Sequence, residues 1–315
     1  MQGFRLLILL LFFIPSITLS GEFRKSFISW GTNLDFIVRS DLKEEDVNSI
    51  IREIHLIPSS LELIFNSKNA NSELHKFNNL KSDEEMFVSS DLIYLLEESI
   101  LYNKITEGYF DPTAQNFVEN KYANANKENN ECTGFANLVI NSKKKSLMKK
   151  KECLRINLDG LAEGYAINLM LLKFKEKGIR DILINFGGNV STLSDKTKWK
   201  VSIKNPNEEY SINSTYDLDN LSVSTSSQYS KTIKFNNETF SHIYNPKMKL
   251  LKPIKNISFS VIADNPIYAD AVSTALQAMP LETALQFLKK DNNIRALVLN
   301  TDSNKKTEVI YNNFQ

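Results

Sequence analysis

Leu154-Arg155-Ile156-Asn157-Leu158-Asp159-Gly160-Leu161-Ala162-Glu163-Gly164-Tyr165-Ala166-Ile167 is the stretch that decides how this chain is read. An apolar alternation runs up to Asn157, small and polar residues follow, and Leu169, Leu172 and Phe174 continue at helical spacing. That pattern predicts a strand, a tight turn and a helix ending near Gly178. A helix N-terminus gathers unpaired N–H groups and a partial positive charge, so the junction suits an anion. Asp159 and Glu163 add carboxylates able to meet a metal. An ordinary β-to-α connection has the same signature, and only the rest of the chain separates the two readings.

At 315 residues the chain can bury a substantial core in one large domain or two intimate ones. Its 38 basic and 37 acidic residues nearly cancel, which leaves no electrostatic footprint for nucleic acid. The basic runs 143–145 and 149–151 read as the solvated flanks of a hairpin turn. Arg5, the apolar block 6–14, Pro15 and the small residues Ser16, Thr18 and Ser20 match the three regions of an export signal, with cleavage expected after Ser20. A spanning helix needs about 20 apolar residues, so an uncleaved anchor is the lesser reading. The expected organisation is a signal over 1–20 and one domain over 21–315. Cys132 and Cys153 are the only cysteines and suggest no zinc or iron–sulfur site. In an exported protein they are able to pair, because the segments around them read as neighbouring strands about the lysine-rich turn.

Working outward, residues 27–38 read as a strand broken at Gly31-Thr32, where an interior glycine often marks close approach of a backbone or ligand. Helical spacing covers 46–65, with Pro58 kinking or splitting it. Ser72 to Asn78 reads as a short turn or helix with His75 at the surface. Ser89 or Ser90 caps a second helix ending near Asn103. Tyr109-Phe110-Asp111-Pro112-Thr113 forms a turn, and 120–130 a polar loop. Strands are expected at 135–140, 154–158, 181–186, 199–203, 221–225 and 257–262, with a closing hairpin over 294–311. Thr225-Ser226-Ser227-Gln228-Tyr229 reads as a hydroxyl-rich turn able to donate to phosphate. Asp270 and Thr274 lie four residues apart on a helix, which stacks their oxygens on one face. Two hard oxygen donors one turn apart suit Mg²⁺; a satisfied buried Asp is the alternative. Without a regular βαβ period, these elements predict an α+β fold, a mixed α/β sandwich in one compact unit.

Taken together and in order, the motifs from Trp30 to Leu288 resemble the ApbE family of FAD:protein FMN transferases, a T-fold-like architecture. The resemblance rests on Gly31-Thr32, Ser72 to Asn78, Asp111 to Thr113, Asn157 to Ala166, Asn185 to Gly188, Thr225 to Ser227, His242 to Pro246 and Ala269 to Leu276. It implies transfer of the FMN half of FAD, through a phosphoester, to a Ser or Thr hydroxyl of an acceptor flavoprotein, with release of AMP. It also implies Mg²⁺ held by Asp270, Thr274 and main-chain oxygens at Ser273 and Gly160. Trp30, Phe65, Tyr109, Phe110, Asp111, Asn157, Glu163 and Ile243 fall where the family contacts FAD. His242 is the candidate to take the acceptor's proton, since an ordinary imidazole titrates near ~6.5. The other assignment gives that duty to Asp270 or a metal-bound water.

The same resemblance implies acceptors in exported or membrane-bound electron-transfer complexes. A place in the periplasm or on the outer face of the inner membrane, with membrane association, follows from it and from the signal. Four positions depart from the family pattern: Asn157 and Asn245 stand where Asp is usual, and Ser227 and Lys249 where Gly is usual. Two further functions fit the same motifs: an FAD pyrophosphatase yielding FMN and AMP, and a non-catalytic exported FAD-binding protein.

Overall fold

The computed structural model describes residues 21–114, 132–195, 197–206, 212–227, 232–235, 238–253, 255–291, 293–302, 304 and 306–314. The expected export signal over 1–20 and the whole of the expected 120–130 loop lie outside these residues, as do Gln228 and Tyr229 of the hydroxyl-rich stretch.

β1 (Gly21–Ser29) and β2 (Thr32–Ser40) form a hairpin in register from Gly21 opposite Ser40 to Ser29 opposite Thr32. The sequence reading of one interrupted strand is corrected here. Trp30 and Gly31 both take positive φ, 50° and 74°, the turn geometry whose twist matches two antiparallel strands. Nothing packs against the space a Gly31 Cβ would fill, so this glycine serves the turn and not a close approach.

Helices α1 (Glu44–Ile54) and α2 (Ile57–Phe65) are split where Pro58 enters the first turn of α2, a position at which a missing N–H costs nothing. Ser72 Oγ accepts from the His75 N–H at 3.0 Å and caps α3 (Glu73–Asn78). His75 is half-buried, its Nδ1 2.9 Å from the Ser67 carbonyl. After β3 (Met86–Phe87), Ser89 caps α4 (Ser90–Ile105) through the Leu92 N–H.

The lysine-rich hairpin is real but shifted. β4 (Leu138–Asn141) pairs with β5 (Ser146–Lys149), and β3 joins them. The expected strand at 135–140 begins as a single 3-10 turn, Phe135–Asn137. Among the described residues the expected strand at 154–158 pairs with no strand. That segment alternates buried and half-buried side chains, and its backbone bonds instead to a side chain: Asn78 Nδ2 donates to the Ile156 carbonyl and the Ile156 N–H donates to Asn78 Oδ1, both at 2.8 Å. Lys149 also departs from the expected solvated flank, with its side chain fully buried. Cys132 and Cys153 are disulfide-bonded, with Cα atoms 5.3 Å apart.

The long helix of the opening stretch is α5 (Asp159–Glu176), followed by Gly178 at φ 83°. Then come β6 (Ile182–Phe186), β7 (Asn189–Leu193), the hairpin β8 (Trp199–Lys204) and β9 (Ile212–Leu218), and β10 (Ser222–Ser227). β11 (Thr232–Phe235), β12 (Glu238–Asn245) and β13 (Leu250–Pro253) make a small sheet. β14 (Ile257–Ala263), α6 (Pro266–Ala278), α7 (Leu281–Lys290), β15 (Arg295–Thr301) and β16 (Thr307–Asn312) close the chain.

Among the described residues, eight strands form one antiparallel sheet in the order β1-β2-β6-β7-β10-β14-β15-β16. Period-two patterning assigns its faces. Leu34, Phe36 and Val38 of β2 sit opposite Phe186, Ile184 and Ile182 of β6, and all are fully buried. This patch meets α5, whose Phe174 ring lies 5.5 Å from Phe36. Phe259 and Val261 of β14 meet Ala269, Val272 and Leu276 of α6 in a second cluster. On the opposite face, Trp199, Val201, Ile203 and Leu218 of the β8–β9 hairpin cover Val223, Ile262, Leu297 and Leu299. Helices on one face and a hairpin on the other make the expected α+β sandwich, and they set α5 against α6.

Candidate functional site

The site lies where α5 and α6 touch. A Cβ added to Gly164 would stand 2.5 Å from the Pro266 carbonyl oxygen, so only glycine lets these backbones meet. Close approach lets the Gly164 N–H donate to Asp270 Oδ2 at 3.0 Å. In a regular helix that N–H would serve the carbonyl of Gly160. Gly160 itself faces Thr274: a Cβ there would be 3.2 Å from Thr274 Cγ2, 3.5 Å from its Oγ1 and 3.2 Å from the Phe110 ring. Gly160, Asp270, Ser273 and Thr274, the residues expected at the metal, are thus brought together from helices far apart in sequence.

β10 supplies hydroxyls that sequence reasoning placed differently. Residues 225–227 end a strand, not a turn, so their side chains alternate. Ser226 Oγ lies 2.9 Å from Ser273 Oγ and 3.4 Å from Thr274 Oγ1, whereas Thr225 faces the other side and pairs with Ser260 at 2.8 Å. Ser224, absent from the expectations, stands 3.1 Å from Ser273 Oγ and 3.4 Å from Asp270 Oδ1, and donates to Asn189 Oδ1. Asn189 Nδ2 in turn donates to Glu163 Oε2 at 2.9 Å. One polar chain therefore runs from Glu163 through Asn189 and Ser224 to Asp270. The signal for it was present: Ser222, Ser224 and Ser226 recur at period two in an otherwise buried strand.

Asn157 makes a side-chain turn just before α5, whose N-cap position is Leu158. Its Oδ1 accepts from the Asp159 N–H at 2.7 Å, its Nδ2 donates to Asp159 Oδ2 at 3.1 Å, and its own N–H donates to the Pro112 carbonyl at 2.9 Å. The last bond ties the α5 turn to the Tyr109 to Thr113 segment. There Asp111 Oδ1 accepts from the Thr113 N–H and hydroxyl at 2.9 and 2.6 Å. Burial holds the Asp111 carboxyl above its ordinary range, opposed by those two bonds. Lys247, on the turn after β12, lies with Nζ 4.4 Å from the centre of the Tyr109 ring.

Trp30 joins the site from the β1–β2 turn. Its ring lies 5.3 Å from Phe186, its Nε1 donates to the Pro58 carbonyl at 2.9 Å, and the residue after Phe186, Gly187, sits against Glu163, whose Oε2 is 2.8 Å from where a Cβ would be. Ile243 is buried on β12, which packs against α6. His242 lies on the same strand by its backbone; its side chain is outside the described part. Phe65 stands apart from the others: it is 3 % exposed and turns into the core, its ring 5.6 Å from Tyr165.

The donor set fits a hard divalent cation. Asp270, Thr274, Ser226 and Ser224 supply carboxylate and hydroxyl oxygens, the chemistry Mg²⁺ prefers, and the Gly160 backbone lies against Thr274. Among the described residues no group of three or more His, Cys, Asp or Glu is placed to hold a metal ion, so any cation here would rest on Asp270 with hydroxyl and main-chain oxygens.

An antiparallel α+β sandwich carrying a buried carboxylate, Asp270, among hydroxyls at the contact of two helices is the class this fold and site define. The chain belongs to the ApbE family, whose model matches residues 30–298. Among its curated relatives, an FAD:protein FMN transferase of Haemophilus influenzae is 23% identical over 286 residues, covering 84% of this chain and 80% of the relative. One of the same name from Buchnera aphidicola subsp. Schizaphis graminum is 27% identical over 248 residues, covering 73% of each. The fold is shared with the flavin transferase ApbE of Vibrio cholerae, at TM-score 0.75, 20% identity and coverage of 92% of this chain and 97% of that one. It is shared also with the apbe protein of Thermotoga maritima, at TM-score 0.78, 21% identity and the same coverages.

Proposed function

We propose that this chain is an FAD:protein FMN transferase that uses Mg²⁺ and releases AMP. Family membership supports the reaction class, and the meeting of Asp270, Thr274 and Gly160 across the α5–α6 contact is the observation that carries the metal assignment. The acceptor's Ser or Thr oxygen bonds to the phosphorus of the FMN half, the pyrophosphate P–O bond breaks, and AMP departs with the electron pair. His242 takes the hydroxyl proton in this scheme, and Asp270 is the second candidate.

Phosphoryl transfer asks of a protein mainly position and charge neutralisation. Asp270 and Thr274 would hold Mg²⁺, with the Gly160 and Ser273 carbonyls. The bound cation would offset charge on the diphosphate and leaving group. Ser224 Oγ lies 3.4 Å from Asp270 Oδ1, and Ser273 Oγ donates to the Asp270 main-chain carbonyl at 3.0 Å, which ties both serines to the metal-binding turn of α6. Asn189 orients Glu163 toward the nucleotide. Trp30, Tyr109, Phe110 and Ile243 provide apolar surface around the flavin, and the Asn157 side chain, bonded to Asp159, fixes the turn that the phosphates approach. The reading extends to an acceptor flavoprotein of an electron-transfer complex, met in the periplasm or at the outer face of the inner membrane. No described helix is long and apolar enough to cross a membrane.

The test is incubation with FAD, MgCl₂ and a candidate exported flavoprotein. Covalent flavin fluorescence on the acceptor with equimolar AMP is the expected result. AMP without adduct would make the chain an FAD pyrophosphatase, and intact bound FAD would make it a carrier.

A further inference from the structure

A lysine with no exposed surface, whose ammonium bonds to main-chain carbonyls, needs a reason to be where it is. Lys149 ends β5 with its side chain 0 % exposed. Its ammonium donates to three backbone carbonyls, of Asn78 at 2.7 Å, Glu152 at 2.9 Å and Leu154 at 3.4 Å, and faces the Phe77 ring at 5.9 Å. All three N–H donors are thereby occupied, the condition under which a buried cation is tolerated. Desolvation and the neighbouring Arg155 guanidinium lower its pKa to about 8.

The acceptors are informative because of where they lead. Glu152 and Leu154 flank the disulfide-bonded Cys153. Ile156, two residues on, is bracketed on both its N–H and its carbonyl by the Asn78 side chain, whose own carbonyl is another Lys149 acceptor. Asn157 follows at once, and its side chain accepts from the N–H of Asp159, the first residue of α5. Among the described residues the chain between β5 and α5 pairs with no strand, so no sheet ladder there sets its course. We infer that Lys149 and Asn78 form a clasp that positions the 157–160 turn, and hence Gly160, for nucleotide and metal binding. They are positioning residues: each acts through the backbone of 152–156 and touches no reacting group. The inference rests on the assignment of that turn to the nucleotide site.

The experiment compares Lys149→Met, Asn78→Ser and a control, Leu288→Ala, which cuts a cavity in the separate cluster beneath α7. Two quantities are measured on the full, oxidised chain at temperatures matched for distance from each Tm. The first is amide hydrogen exchange, where both clasp variants should speed exchange at 157–161 about tenfold and leave α6 unchanged, with no such change in the control. The second is FAD affinity by flavin fluorescence, expected to fall about tenfold in the clasp variants alone, because small misplacements of a binding element are costly. Equal effects in clasp and control variants would overturn the positioning role, as would unchanged exchange at 157–161. Should the native chain fail to bind FAD, the transferase reading falls, while the exchange result still decides whether the clasp exists. Asn78→Ser keeps the test open if Lys149→Met does not fold.

Discussion

The Gly164 N–H and the Asp270 carboxylate, 106 residues apart in sequence, meet at 3.0 Å. This bond locks the second turns of α5 and α6 together, and it exists only because residue 164 has no side chain. Gly164→Ala forces a Cβ to within 2.5 Å of the Pro266 carbonyl oxygen. Overpacking against backbone is costly, so a loss of about 3 kcal/mol is expected by urea denaturation. An unchanged midpoint would mean that the helices part freely.

Gly160→Ala separates packing from function at the neighbouring glycine. The new Cβ meets Thr274 and the Phe110 ring at 3.2 Å, a contact relieved by a few tenths of an ångström. Alanine also gains about 1 kcal/mol of helix propensity, so stability should change by less than about 1 kcal/mol. Mg²⁺ affinity, read by isothermal titration with FAD bound, should nevertheless drop, because Thr274 Oγ1 is displaced. Native affinity in this variant would remove Gly160 from the metal site.

Asp270 contributes both a hydrogen-bond acceptor and a charge, and two substitutions divide them. Asp270→Asn keeps an acceptor for the Gly164 N–H and should retain the fold while abolishing the rise in Tm that Mg²⁺ brings. Asp270→Ala leaves that buried N–H without its carboxylate and should cost about 1–3 kcal/mol in addition. Thermal melts with and without MgCl₂ read both effects.

The disulfide between Cys132 and Cys153 closes a loop of 21 residues in sequence separation. Loop-closure entropy predicts that reduction lowers unfolding free energy by about 3 kcal/mol. Equilibrium denaturation with and without a thiol reductant measures it. Because Cys153 lies inside the clasp, FAD affinity should weaken on reduction as well.

Lys149 makes stability depend on pH in a direction opposite to that of a lysine gaining an acidic partner. Its folded pKa is lowered from 10.5 to about 8, so between those values the unfolded chain binds more protons and unfolding free energy rises with pH. The cost of holding the buried cation is full below about pH 8 and gone above 10.5. It amounts to at most about 3 kcal/mol across that window. Arg155 and Glu152 are the charged groups beside it. Denaturation midpoints of native protein and Lys149→Met, compared at pH 7.5 and 10 (about the two ends of that window), should show the native chain gaining on the variant as pH rises. Parallel curves would show that Lys149 does not titrate within it.

Much of this molecule follows from local chemistry. Helix α5, its end before Gly178, the split at Pro58, the Ser72 and Ser89 caps and the closing hairpin are all set by periodicity and by residues whose preferences act within a few positions. So is the pairing of Asp270 with Thr274 on one helical face. The ordered motifs carried the family, because residues held to a reaction keep their spacing even where the rest of the chain drifts.

Three things needed the tertiary structure. Residues 154–158 read as a strand, since their side chains alternate between buried and half-buried; whether a strand partner exists is a long-range matter, and here Asn78 takes its place. Lys149 read as solvated, because a lysine run carries no sign that three carbonyls converge on one of its members. Phe65 was expected at the flavin, and only packing against Tyr165 shows that it turns inward. The opening stretch determined by itself that a helix starts at a glycine-containing turn. That this turn meets Asp270 and Thr274 was decided by the close contact of α5 with α6, which depends on the absence of one Cβ at Gly164 and is visible only once both helices lie on the same sheet.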